Sequence, residues 1–459
     1  MKDSGVEWLG KVPRHWKVRR GKWLFRHRKQ INADGEEANV LSLTLRGVVN
    51  NDPENPEGLV PRDYATYQLF CKGDLVFKLI DLENLQTSRV GLVHEDGIMS
   101  PAYVRLTPKV ALDIRFFYRQ YFDLYLRGIY NQLGAGVRST LGPYDLLELR
   151  VLLPPFSEQA KVVRYLDYVG RRVQQFVKAK QKLIKLLEEQ KQAIIHRAVT
   201  RGLDPDVPLK DSGVKWLGKV PEHWEVKQLG RIGKFSKGSG GTKEDEVSDG
   251  IPCVRYGDLY TQHQFFIRMS RTCVTEEKAI DYVPIQFGDV LFAGSGETIE
   301  EIGKSAVNLV LGPACCGGDV IIFRPSIKIN AGFLGYAADC PQSVYQKSCM
   351  GRGITVMHIY GDELKYLYVV FPPLPEQTAI TEYLNSAIAS IDAAIARTRR
   401  EIELLQEYHT RLTADVVTGK VDVRDAAANL PDEVRDPALF REPDIPEAET
   451  DFTAEESQA

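Results

Sequence analysis

The sequence predicts an α+β protein built twice over. Two similar globular bodies are separated by two long antiparallel helices in a pseudo-twofold arrangement, and a disordered acidic tail follows. Three observations predict this. Residues 2–18 (Lys-Asp-Ser-Gly-Val-Glu-Trp-Leu-Gly-Lys-Val-Pro-Arg-His-Trp-Lys-Val) recur at 210–226 with only three changes. A Pro-Pro-x-x-Glu-Gln opening, with Glu158-Gln159 and then Glu376-Gln377, precedes each of two long periodic runs. Those runs align without a gap: Tyr165-Leu166 with Tyr383-Leu384, Leu186-Leu187 with Leu404-Leu405, and Val199-Thr200 with Val417-Thr418. A repeat on this scale marks two copies of one structural unit.

The chain divides at 1–155 (first body), 156–203 (first helix), 204–373 (second body), 374–422 (second helix) and 423–459 (acidic tail). In the first body, β-like runs lie at 40–45, 74–80 and 103–106, with a helix at 115–127, separated by turn signals such as Asn50-Asn51-Asp52-Pro53 and Lys72-Gly73-Asp74. The second body follows the same outline. Phe287-Gly288-Asp289-Val290-Leu291-Phe292 echoes Lys72-Gly73-Asp74-Leu75-Val76-Phe77, and Gly351-Arg352-Gly353 echoes Gly134-Ala135-Gly136 before Val137-Arg138. The interiors otherwise share little.

In the first helix, proline precedes, Ser157 is placed to cap, and Glu158 suits the positive end of the helix dipole. Apolar residues recur in steps of four and three: Val162, Leu166, Val169, Val173, Phe176, Leu183, Leu187 and Ile194, with Lys180 and Gln190 as polar breaks. The second run carries Leu384, Ile388, Ile391, Ile395, Ile402, Leu405, Leu412 and Val416, with Thr398 opposite Lys180 in the alignment. A helix about 64 Å long cannot bury its stripe against itself. The packing therefore falls to Val162, Leu166, Val173 and Leu187 against Leu384, Ile391, Ile395 and Leu405. By symmetry, the first copy of the repeated segment should dock near the end of the second helix.

The net charge of −3 conceals a division: from Asp425 onward eleven acidic residues face Arg435 and Arg441, a net of −9, so the rest carries +6. The first helix is especially basic. Such a body suits a polyanion, although a solvated helix face reads equally well. The seven cysteines lack CxxC spacing and read as free, mostly buried thiols of a reducing cytosol. There is no transmembrane run and no signal-peptide start.

Catalytic motifs fail on inspection. Phe292-Ala293-Gly294-Ser295-Gly296 resembles a glycine-rich S-adenosylmethionine loop, but the amine-holding motif is missing: Leu153-Pro154-Pro155-Phe156 has leucine where an amide or carboxylate is needed. Gly303-Lys304-Ser305 lacks the first glycine of a phosphate-binding loop, with Thr298 there, and Glu297, Glu300 and Glu301 repel phosphate. Asp206, Glu225 and Lys227 mimic a nuclease triplet, but Glu225 lies inside the repeat, where the first copy has Lys17. His15 and His223 show no metal spacing. What remains is a set of basic residues beside glycine or aromatic residues: Arg46, Arg138, Lys237, Arg255 with Tyr256, Arg268, Arg271, Lys304 and Arg352. Each alone is commonly a surface charge; in two related bodies they fit the reading of base edges and phosphates.

These residues resemble the DNA-specificity subunit of type I restriction–modification systems. The resemblance rests on Trp8 to Trp16 with its copy at Trp216 to Trp224, and on the two Pro-Pro-x-x-Glu-Gln openings. It rests further on Ile251-Pro252-Cys253-Val254-Arg255-Tyr256-Gly257-Asp258-Leu259 and on Gly288-Asp289-Val290-Leu291-Phe292. It implies that each body is a target recognition domain reading one half of a split double-stranded DNA target, with the helices as spacer. It implies two modification subunits docked along them, and restriction subunits besides. It also implies no catalysis, metal or cofactor in this chain, with S-adenosylmethionine, ATP and Mg in the partners, and a bacterial or archaeal cytoplasm. The acidic tail is outside the pattern. A self-contained methyltransferase or nuclease, or a protein-binding scaffold, are the rival readings.

Overall fold

In the computed structural model the described residues are 1–44, 47–52, 63–80, 82, 88–133, 141–241 and 243–431. The chain forms two compact units, Met1–Gln181 with Arg400–Ala459, and Lys182–Arg399. Both long helices are present, at Phe156–Arg201 and Leu374–Val417. Each unit therefore holds one globule, the start of one long helix and the end of the other.

The two globules share a frame. In the first, the strands run in the order Phe25–His27, Val104–Pro108, Leu75–Phe77, Val90–Leu92. In the second the corresponding order is Gly233–Lys237, Val320–Pro325, Val290–Ala293, Ser305–Asn308, with Phe265–Ile267 added in parallel at the edge. Each also pairs the strand after its repeated segment with the strand before its long helix: Lys17–Arg20 with Arg150–Leu153, and Glu225–Gln228 with Tyr368–Phe371. The strands near 41–44, 75–77 and 104–108 and the helix Ile114–Leu126 stand where the sequence places them. Outside the frame the globules diverge. The second has a further five-stranded sheet built on Ile251–Val254 and Ala314–Cys316, while the first has an antiparallel pair, Leu41–Thr44 with Gly47–Asn50.

The duplicated motifs are the joints of that frame. Trp16, buried, donates its indole N–H to Glu158 at 3.0 Å, and His15 Nε2 meets the other oxygen at 2.8 Å. In the second unit Trp224 and His223 hold Glu376 at 2.9 and 2.7 Å. The adjacent glutamines act alike. Gln159 donates to the Pro154 carbonyl and accepts from the Asp113 amide; Gln377 does the same with Pro372 and Asn330. Asp113 and Asn330 in turn cap the helices Ile114–Leu126 and Ala331–Ala338. In the Gly-Asp turns, Gly73 and Gly288 take φ of 91° and 90°. Asp74 and Asp289 accept the amides of Cys71 and Gln286 and pair with Arg105 and Arg324, each at 2.6 Å. Trp16 packs in one core with Val416 and Val417, so the first repeat does dock at the end of the second long helix.

The long helices run antiparallel within each unit. In the first, Leu166 shares a core with Val416, His409 lies against Gly170, and Lys180 pairs with Glu401. In the second, Ile195 and Val199 pack with Ile380, Leu384 and Ile388, while Lys191 meets Asp392 at 2.7 Å. Val162, Leu166, Val173, Leu384, Ile391 and Ile395 are buried; Leu187 and Leu405 are half-buried. Phe176 and Leu183, read from the sequence as seam residues, face outward instead, 49% and 44% exposed. Val177, Lys180, Ile184 and Lys191 lie inward of them. A lysine reaches the seam by laying its methylenes along it and pairing at the tip, which a purely apolar stripe does not reveal.

Two boundaries also differ from expectation. The first helix begins at Phe156, so Ser157 lies in the first turn rather than at the cap. The sequence places the segment from 423 in a disordered tail, but Arg424–Ala428 is helical and Val423 and Ala427 are buried. Their spacing of four turns both onto the core, and apolar burial outweighs the polar composition around them. The tail from 432 onward lies outside the described residues. All seven cysteines are free, and only Cys71 and Cys349 are exposed. Among the described residues no helix is long and apolar enough to cross a membrane.

Candidate nucleic-acid interface

In the second unit, three of the basic positions singled out from the sequence gather around glycine turns. Lys237 ends the strand Gly233–Lys237, its side chain 70% exposed and its ammonium 4.0 Å from Asp319. The chain then enters Gly238-Ser239-Gly240-Gly241, which sits against Gly317-Gly318: the Gly318 amide donates to the Gly240 carbonyl at 3.1 Å. A Cβ on Gly238 would lie 2.0 Å from the Gly317 carbonyl oxygen, so only glycine fits. Gly317 in turn donates to the Val254 carbonyl at 3.0 Å, which places Arg255 beside it.

Arg255 opens the short helix Tyr256–Thr261, where its amide donates to Asp258 at 2.9 Å. Its guanidinium pairs with Glu246 at 3.3 Å, and Tyr256 next to it is 44% exposed. From the same helix, Tyr260 donates to the Ser295 carbonyl at 3.1 Å; burial, then the charge of Glu301, push its phenol up to about 12. Ser295–Gly296 pairs with Met357–His358, which pairs with Arg352–Gly353. Arg352 is 79% exposed, with Glu363 3.8 Å away. An open depression of about 240 Å³ adjoins this hairpin, lined by Lys237, Ser295, Asp319, His358, Tyr360 and Lys365 among others. Ser295 Oγ and His358 Nδ1 are 3.1 Å apart, and Tyr360 stacks on the His358 ring.

Lys304 has a different setting. Its ammonium meets Asp339 at 2.7 Å, and the same carboxylate takes the fully buried Lys347 at 2.8 Å. Burial raises the Asp339 carboxyl and the two ammonium charges outweigh it, holding the group below its ordinary value; burial lowers Lys347, with Asp339 opposing. Lys304 is thus part of an internal ion cluster, with its side chain 26% exposed. Arg46 and Arg138, the first-body candidates, lie outside the described residues. The sequence reading missed His358, Tyr360 and the hairpin tip at Ile354. The sole hint was the Gly351-Arg352-Gly353 spacing, because Ile-Thr-Val-Met reads as an ordinary strand interior.

Residues 221–404 match the family described as the type I restriction modification DNA specificity domain. The matched stretch takes in most of the second globule and reaches into the second long helix. The chain is 23% identical to the putative type I restriction enzyme MjaX specificity subunit of Methanocaldococcus jannaschii, across 91% of this chain and 96% of that protein. It is 23% identical to the type I restriction enzyme EcoKI specificity subunit of Escherichia coli, across 44% of each. In fold it resembles a chain solved in work on complex assembly and conformational transition of the type I R-M system, with a TM-score of 0.66 at 15% identity. That match covers 90% of this chain and all of the other.

Proposed function

We propose that this chain is the non-catalytic, sequence-reading subunit of a type I restriction–modification complex, each unit reading one half of a bipartite duplex DNA target. The observation that carries this is the frame built twice with unlike surfaces. The Trp–Glu clamp, the Gln staple and the Gly-Asp turn are duplicated. The elements outside them, which would meet the bases, are not. In the second unit, Lys237 and Arg352 would contact phosphate or base edges beside glycine turns that let a backbone approach closely, with Arg255 and Tyr256 beside them. In the first, Arg46 and Arg138 take that part, and Lys304 serves chiefly to hold the domain together.

On this reading the two helices fix the distance between half-sites and offer two modification subunits equivalent docking positions. Restriction subunits complete the complex. S-adenosylmethionine, ATP and Mg belong to those partners, in a bacterial or archaeal cytoplasm. The test is a chain in which residues 228–371 are replaced by 20–153, so that the first globule is present twice on unchanged helices. It should bind a palindromic split target in a gel shift at fixed salt; a chain that keeps the parental target defeats the proposal. Methyl transfer, or DNA cleavage with Mg²⁺, by the purified chain alone would defeat the non-catalytic part.

A further inference from the structure

The most exposed large apolar residue among the described residues is Ile354, at 97%. It stands in a three-residue turn between Arg352–Gly353 and Met357–His358, whose pairs are Arg352 with His358 and Gly353 with Met357. The turn is tight. Gly353 has φ of +145°, and a Cβ there would lie 2.0 Å from the Val356 carbonyl oxygen. Its base is anchored by a third strand, Ser295–Gly296, and by Ile299 and Ile302, which approach Gly351 so closely that a Cβ would sit 2.8 Å from each. The tip is therefore held out on an anchored support beside the exposed Arg352, and the supporting strand Ser295–Gly296 touches Tyr260 of the helix Tyr256–Thr261.

We propose that this hairpin enters the major groove and that Ile354 packs on the C5-methyl group of a thymine. The inference rests on the reading of the second unit as a DNA-reading body. A two-stranded ribbon fits the major groove, and the thymine methyl is the one apolar group on a base edge there. Against any other edge, the isoleucine would cover donors or acceptors without replacing their hydrogen bonds, which disfavours that base. Arg352 at the ribbon base is placed to hold the flanking phosphate.

The test uses the full-length chain and the duplex motif located by sequencing modified bases in the host genome. A second duplex carries deoxyuridine for thymidine throughout the half-site read by the second unit. Losing one buried methyl should weaken wild-type binding about three- to fivefold. Ile354→Ala should bind the thymine duplex more weakly by a similar factor and bind both duplexes equally. Equal wild-type affinity for the two duplexes, a half-site without thymine, or discrimination retained by Ile354→Ala would each overturn the proposal. So would a 2-aminopurine fluorescence rise that depends on Ile354, since that reports insertion between bases. A wild-type chain that binds no duplex overturns the functional reading itself, a distinguishable failure.

Discussion

Replacing Glu158 by alanine should loosen its unit far more than the same change at Glu376, although the indole and imidazole bonds match in the two clamps and Glu158 adds only a long contact, 4.0 Å, to the half-exposed Arg424. In both, a buried tryptophan donates to the carboxylate at 2.9–3.0 Å, and a histidine meets it at 2.7–2.8 Å. The difference is solvent: the Glu158 side chain is 9% exposed and that of Glu376 is 42%. A hydrogen bond to a charged acceptor contributes about 1.5–3 kcal/mol, and a carboxylate in the first helical turn about 0.3–1 kcal/mol. Loss of Glu158 also leaves the Trp16 N–H shielded without an acceptor, so about 2–4 kcal/mol is expected. At Glu376, water reaches the vacated position and takes over the Trp224 N–H, leaving about 1 kcal/mol. Native-state hydrogen exchange reads the difference locally. The amides of Leu9, Gly10 and Trp16 bond within the first segment, and those of Leu217 and Trp224 within the second. Opening in Glu158→Ala should accelerate exchange in the first set by about 30- to 700-fold, against about fivefold for the second set in Glu376→Ala. Equal acceleration, or a larger one at Glu376→Ala, would refute the argument from burial.

Two further outcomes follow from buried charge. Burial, with a smaller push from Arg119, lowers the His409 imidazole to about 4, so the folded first unit holds it neutral. An unfolded histidine titrates near ~6.5, so the stability tied to the neutral ring is complete above that pH and is lost progressively as pH falls toward about 4. Melting temperature measured from pH 7.5 to 4.5 should fall less steeply in His409→Leu; identical slopes would contradict this. Lys347→Met leaves the buried Asp339 with one ammonium, that of Lys304, beside the amide and hydroxyl of Ser305, and removes bonds of 2.8, 3.1 and 3.2 Å to Asp339, Ala338 and Ser305. It should cost about 3–5 kcal/mol in urea unfolding, and Asp339→Leu added to it should restore most of the loss. A double variant no more stable than the single one would count against the ion-cluster account.

What was legible in the sequence was whatever repeats or has a short period. The tandem Trp-Leu-Gly-Lys-Val-Pro segments, the paired Glu-Gln openings and the apolar steps of the two long runs announced a duplicated frame on two helices, because helical and strand periods are written in neighbouring residues. The same text could not say what Glu158 and Gln159 do. Their partners, Trp16 and Asp113, lie 142 and 46 positions away.

Charge was the least legible property. Lys237, Lys304 and Lys347 are the same residue type in similar mixed contexts. Yet one is 70% exposed on a glycine turn, one leans on Asp339, and one is wholly buried on that carboxylate. Lys180 looked like a break in a seam and is an interhelical pair with Glu401. Ile354 looked like a strand interior and stands at a bare tip. The sequence by itself determined the doubled frame and the rods, since those follow from local pattern. Only the tertiary structure decided which charges and apolar groups face a partner and which face water, because desolvation depends on segments that the chain brings together from far apart.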